Sequence, residues 1–171
     1  DEYLASLGMC AIIHSVEDHE VPRIAQLTQK TNQFNLTTKR YSETEIFQFS
    51  QSSDYEVFIL SVKDKFGELG LTGVLIVERR NNIALIDTFL LSCRVLGRKL
   101  EIAFCDYCFS KLEDAWSLDQ WKAFYYPTAK NHQVADFWGK IGFHIEEEEG
   151  GNKVYIINAG HQVFDPIDFI K

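Results

Sequence analysis

The chain has 171 residues, of which 46% are hydrophobic and 13% aromatic, enough for one domain with a substantial core. A net charge of −8 argues against general nucleic-acid binding but leaves room for a small anion held by a local basic cluster. No apolar run reaches the roughly 18–20 residues that a membrane span needs.

Met9 to His14 reads as a short strand and Ser15 to Glu20 as a polar turn. Pro22 suits the first turn of a helix that continues from Arg23 to Gln33, with Ile24 and Leu27 on one face. Ser42 to Ser50 opens on a capping box, Ser42-x-x-Glu45, and reads as a short helix. Three strands at hairpin spacing follow, Tyr55 to Asp64, Leu69 to Glu78 and Ile83 to Ser92, which implies an antiparallel meander. Gly97 to Trp116 is the clearest helix. Leu100, Ala103, Phe104, Tyr107, Cys108, Leu112, Ala115 and Trp116 place one apolar face at the helical period. Trp121 to Tyr126 reads as a strand ending at Pro127, and Asn131 to Ile141 as a second amphipathic helix stopped by Gly142. Phe143 to Glu147 and Lys153 to Asn158 are strands around the turn Gly150-Gly151. The tail from Ala159 shows no period. This alternation predicts an α/β (α+β) domain.

The first residues, Asp1-Glu2-Tyr3-Leu4, are acidic where a secretory leader is basic, and there is no initiator Met. The chain is therefore expected to be a piece of a longer, cytoplasmic protein. Its four cysteines, Cys10, Cys93, Cys105 and Cys108, are read as reduced thiols. Cys105-x-x-Cys108 falls inside the long helix, where core thiols are the expected reading. No second pair completes a zinc set, and the histidines show no metal-ligand spacing.

The most informative stretch leaves the third strand of the meander and enters the long helix. Arg94, Arg98 and Lys99 put three positive charges into a chain that is acidic overall, around Gly97. A helix N-terminus offers unpaired N–H groups to an anion, and glycine allows close backbone approach. Basic residues oppose the helix dipole there, so they make more sense with an anion bound.

The order strand, Arg94-x-x-Gly97-x-Lys99, helix resembles motif A of the GNAT acyltransferases, written Gln/Arg-x-x-Gly-x-Gly/Ala. Asn131-x-x-Val134-x-x-Phe137-Trp138-x-x-x-Gly142-Phe143 is similar to their motif B region. The resemblance implies the GNAT fold, a mixed and mostly antiparallel central sheet flanked by about four helices. It also implies that Leu90, Leu91, Ser92, Arg94, Val95, Leu96, Gly97, Arg98, Lys99, Asn131, Phe137 and Trp138 hold coenzyme A, acetyl-CoA or a carrier-bound phosphopantetheine. Within the superfamily, Arg23 to Thr38 and Asp87 to Arg98 most resemble the C-terminal part of FkbH-like proteins. That likeness implies a preceding HAD-like domain and an acyl carrier protein as partners. It implies a role in forming a glyceryl or acyl carrier thioester for methoxymalonate, a polyketide extender unit.

Two departures bear on chemistry. Lys99 stands where motif A has Gly or Ala. Trp138 stands where many GNAT enzymes have a tyrosine acid, and an indole cannot exchange a proton near neutral pH. Asp87, on the third strand, is a candidate base for an attacking nucleophile, or a structural carboxylate bonded to backbone. Tyr126, with Tyr125 beside it, is a candidate replacement acid, or a cleft-lining aromatic. Backbone N–H groups of the splayed strand are expected to polarise a thioester carbonyl. The rival expectation is a noncatalytic module that docks a carrier protein or packs on the HAD-like domain.

Overall fold

The computed structural model describes residues 8–92 and 99–164. They form a layered domain: a twisted mixed sheet with helices on both faces. The elements are β1 (Cys10–Ser15), α1 (Val21–Lys30), β2 (Phe34–Asn35), α2 (Glu43–Gln51), β3 (Tyr55–Asp64), β4 (Gly67–Arg80) and β5 (Ile83–Leu91). They continue with α3 (Leu100–Trp116), β6 (Gln120–Tyr125), α4 (Phe137–Lys140), β7 (His144–Glu149) and β8 (Asn152–Asn158). The sheet order is β1-β3-β4-β5-β6-β8-β7, with β2 added on β5. Every pairing is antiparallel except β5 with β6.

β3 and β4 carry continuous apolar runs because both of their faces are covered. Phe58, Leu60, Leu75 and Val77 join α3 and α4 in the larger core. Their neighbours Val57, Ile59, Val74 and Ile76 join α1 and α2 in the smaller one. Close approach of α3 to the sheet requires Gly73, where a Cβ would sit 3.1 Å from both Leu60 Cβ and the Phe104 ring. In β5 the alternation slips. Ala84 and Ile86 face the larger core, and so do Phe89 and Leu91. The parity changes because the register with β4 shifts there: Ile76 pairs with Thr88 but Val77 with Ile86, so Asp87 is the extra residue of a bulge.

The meander and both terminal hairpin strands follow the sequence expectation. At the hairpin tip Gly150 and Gly151 have φ of 59° and 87°, as a two-residue turn between twisted strands needs. The Ser42–Glu45 capping box is present at α2. Three expectations are corrected. The first helix ends at Lys30, and Phe34–Asn35 becomes a strand. The helix expected over 131–141 is broken into a 3-10 turn, His132–Val134, and the short α4. On α3, Tyr107 points out at 45% exposure, while Cys105 and Phe109 are buried with Leu100, Phe104, Cys108 and Leu112. The buried face is therefore rotated from the periodicity reading, because Phe104 packs on Phe89 of β5 and Phe109 stacks on Trp121 of β6.

Candidate functional site

β5 and β6 pair only from Ile83–Gln120 to Ile86–Ala123. Asp87 follows, and above it the two strands part. Parting strands would leave two rows of backbone N–H and C=O groups without partners. The chain fills the gap with its own residues. Phe34 and Asn35 pair antiparallel with Leu91 and Leu90. The Leu36 N–H donates to the Phe89 carbonyl at 3.2 Å, and the Thr37 hydroxyl to the Asp87 carbonyl at 2.9 Å. From the other side, the Tyr126 N–H donates to the Leu36 carbonyl at 2.9 Å. The strand edge expected to polarise a thioester is thus taken up by residues 34–36.

Among the described residues predicted for the site, Asp87, Leu90, Leu91, Tyr126, Asn131 and Phe137 touch this filling segment. Asp87 accepts from Lys39 Nζ at 2.8 Å, the Tyr41 hydroxyl at 2.6 Å and the Thr88 hydroxyl at 2.8 Å. Burial, followed by the bond to Asp87, raises the Tyr41 pKa, so this hydroxyl stays protonated and donates. With three donors on two oxygens, the carboxylate ties residues 37–41 to the bulge. Asn131 is fully buried. Its amide donates to the carbonyls of Asn35 at 2.9 Å and Tyr126 at 3.0 Å, and its oxygen accepts from the Thr128 N–H at 2.8 Å. It therefore stitches β2 to the end of β6 and makes no capping bond to the following turn.

Tyr126 is half-buried, while the Tyr125 hydroxyl is turned to Asn131 at 3.3 Å. Trp138 is fully buried and its indole donates to the Phe124 carbonyl at 3.3 Å. Phe137 packs edge-on against Phe34. Leu90 and Leu91 are buried on opposite faces, and the Ser92 N–H donates to the Thr72 carbonyl at 2.7 Å. Lys99 is exposed and adopts a left-handed conformation, φ 58°, just before α3. Arg94, Val95, Leu96, Gly97 and Arg98, with Cys93, lie outside the described residues.

Phe34 stands between two openings. One is a cleft of about 330 Å³ between the first turn of α3 and the 131–140 region, walled by Phe34, Ile102, Val134 and Phe137, with Glu101 and Lys140 also lining it. Burial raises the Glu101 carboxyl pKa despite Lys99 nearby. The other is a groove of about 710 Å³ under α1, lined by Arg23, Lys30, Lys130 and His132 as well as Leu91 and Ser92.

No protein-family model and no curated protein matches the sequence. Solved structures do match the shape. The GNAT domain of S. lividans PAT aligns with TM-score 0.66 and 11% identity, over 86% of this chain and 90% of that one. The spermidine/spermine N-acetyltransferase SpeG from Vibrio cholerae aligns with TM-score 0.63 and 14% identity, over 91% and 95%. The PaiA N-acetyltransferase from Thermoplasma acidophilum, solved in complex with coenzyme A, aligns with TM-score 0.62 and 13% identity, over 86% and 98%. The chain has the GNAT fold.

Sequence reasoning missed part of what this GNAT-fold site contains. Phe34, Asn35, Lys39 and Tyr41 come from the stretch between the first two expected helices, for which the sequence predicts no element. Their signal was the polar run Thr37-Thr38-Lys39-Arg40 after an apolar Phe34, a pattern that cannot continue a core-facing helix. Arg23, Lys30, Lys130 and His132 are scattered in sequence and only the fold collects them. Cys105 and Cys108 are buried, and burial raises both thiol pKa values, as core thiols require. Glu17, His19 and Glu20 bring ligand atoms within 4.8 Å of one another, but Glu20 is committed to His14 at 3.1 Å. Among the described residues, no helix is long and apolar enough to cross a membrane.

Proposed function

We propose that this GNAT-fold domain binds the pantetheine arm of a thioester, coenzyme A or a carrier-borne phosphopantetheine, in an acyl-transfer pathway. The observation that carries this reading is the opening of β5 from β6 above Asp87, beside an apolar cleft of about 330 Å³. The cleft runs along the first turn of α3, the helix that in the sequence follows Arg94, Gly97, Arg98 and Lys99. Its walls suit a chain of methylenes and amides: four apolar side chains, with Gln133 and the proton-favouring Glu101 as hydrogen-bond partners. The arm would lie against Phe34, because the backbone edge of β5 is already in use. The coenzyme A complex of a fold neighbour supports the ligand class. The resemblance to FkbH-like proteins supports a carrier-bound arm, an acyl carrier protein and a HAD-like domain as partners, and a glyceryl or acyl thioester for methoxymalonate formation.

A second reading, binding without chemistry, is favoured by two specific observations. Asp87 is tied down by three donors, and Trp138 offers only an indole whose N–H is already bonded. Titration calorimetry with coenzyme A, acetyl-CoA and a phosphopantetheinylated carrier protein tests both. Binding that is lost in Arg94→Ala/Arg98→Ala supports the cofactor site; no binding to any of the three sinks it. Turnover that depends on Asp87 would select the catalytic reading.

A further inference from the structure

The groove under α1 is chemically unlike the pantetheine cleft on the other side of Phe34. Arg23, Leu27 and Lys30 lie on one stripe of α1, spaced so that their side chains point the same way. Lys130 and His132 come from the loop beyond β6, and Ser92 from the end of β5. α1, the end of β5 and the loop beyond β6 are far apart in sequence, so the convergence is made by the fold. No Asp or Glu is among the described residues that line the groove. None of Arg23, Lys30 and Lys130 forms an ion pair with a described carboxylate. In a chain of net charge −8, cations brought together without counter-charges repel one another until an anion neutralises them. Thr31 and Gln33 add polar side chains to the same groove. The volume of about 710 Å³ is that of a small-molecule site.

We infer that this groove is an anion site for a small molecule carrying a phosphate or pyrophosphate group. It is separate from the pantetheine cleft and selects against cationic amines. Arg23, whose Nη1 also donates to Gln26 Oε1 at 2.6 Å, offers its remaining guanidinium N–H groups to phosphate oxygens, and Lys30 and Lys130 supply point charges from different elements. Its position at the mouth of the parted strands, against Leu91 and Ser92, is where a second substrate would approach. The assignment of the groove does not depend on what fills the cleft.

The test titrates the whole chain with inorganic pyrophosphate and, separately, with spermidine at low ionic strength. Pyrophosphate is expected to bind, to weaken as salt is raised, and to lose at least about tenfold in affinity in Arg23→Ala/Lys30→Ala/Lys130→Ala. Spermidine is expected not to bind. Lys30 and Lys130 are exposed and Arg23 is half-buried, and an unchanged circular-dichroism melt verifies the fold of the variant. Coenzyme A is titrated into the same variant. If it binds as before, the two sites are distinct; if coenzyme A and pyrophosphate are lost together and compete, the separate site is refuted. Unchanged pyrophosphate affinity in the variant, or spermidine binding at the groove, also overturns the inference. So does failure of pyrophosphate to bind where an acidic carrier protein binds through the same three cations. Loss of coenzyme A binding in Arg94→Ala/Arg98→Ala, or its absence altogether, reports on the cleft alone.

Discussion

The lower and upper halves of β5 are held in different ways. From Ile83 to Ile86 the strand sits in a regular ladder, antiparallel to β4 and parallel to β6. From Asp87 to Leu91 its β6 side is held by a two-residue strand and by side chains: Thr37, Lys39 and Tyr41 at the bulge, and Asn131 across the gap. A ladder distributes its hydrogen bonds over many residues, so single substitutions on its surface are absorbed. A gap closed by a few buried polar side chains concentrates the same task in those groups. Each then becomes costly to remove, because its partners are left unsatisfied in a dry place.

Asn131→Ala is the sharpest way to break that distinction. It orphans the Asn35 and Tyr126 carbonyls and the Thr128 amide around a fully buried position. The expected loss is about 3–4 kcal/mol by urea denaturation, from two or more buried groups left unpaired. Hydrogen exchange should rise at Leu91 and Leu36 and stay unchanged at Leu85. A uniform rise along β5 would show that the two halves are one cooperative unit, and the contrast would fail.

A smaller effect is expected at the bulge. Asp87→Ala removes the acceptor of Lys39 and Tyr41, with Lys39 38% exposed and so screened by water. The expected destabilisation is about 1–2 kcal/mol, most of it from the half-buried Tyr41 hydroxyl. Asp87→Asn should recover about half, since an amide oxygen still accepts from that hydroxyl. If Asp87→Asn is as costly as Asp87→Ala, the charge of the Lys39 pair matters more than the hydrogen bonds, and the anchoring account needs revision.

How far the sequence carried this picture depends on the range of the forces involved. The meander and the long helix were legible because period and turn chemistry are local. Val57 to Val62 and Val74 to Val77 declare strands by themselves. The bulge at Asp87 was not legible: it shows only when the faces of Ile86 and Phe89 are compared through their packing. The helix expected from Asn131 to Ile141 had a fair amphipathic pattern, yet tertiary demands broke it. Asn131 is drawn inward to satisfy Asn35 and Tyr126, and Phe137 and Trp138 turn to pack on Phe34, Phe89 and Phe143. The filling strand Phe34–Asn35 was invisible for the same reason. Two residues have no period, and their partner Leu91 lies more than fifty positions away.

The finest discrimination between the two halves comes from alkaline pH. Each half has one tyrosine donating to a carboxylate: Tyr41 to Asp87 above the bulge, and Tyr55 to Glu78 Oε1, at 3.0 Å, beside the regular ladder. Burial first, and the Glu78 bond second, push the Tyr55 pKa up to about 12. A folded-state pKa above the unfolded value of about 10 means that the native state holds the proton more tightly. The contribution is therefore complete below about pH 10 and declines as pH rises towards about 12, where the unfolded chain has already lost its proton. Tyr55→Phe should lower the urea midpoint modestly at pH 8, where the contribution is complete, and flatten part of its fall across this window. Tyr41→Phe should flatten a further part and, in addition, speed exchange at the Phe89 and Leu91 amides, because only Tyr41 helps to close the gap. An alkaline slope in Tyr55→Phe equal to the native one would refute the role of Tyr55. Equal exchange in the two variants would mean that the upper half is held by its two-residue ladder after all, with the side chains as bystanders.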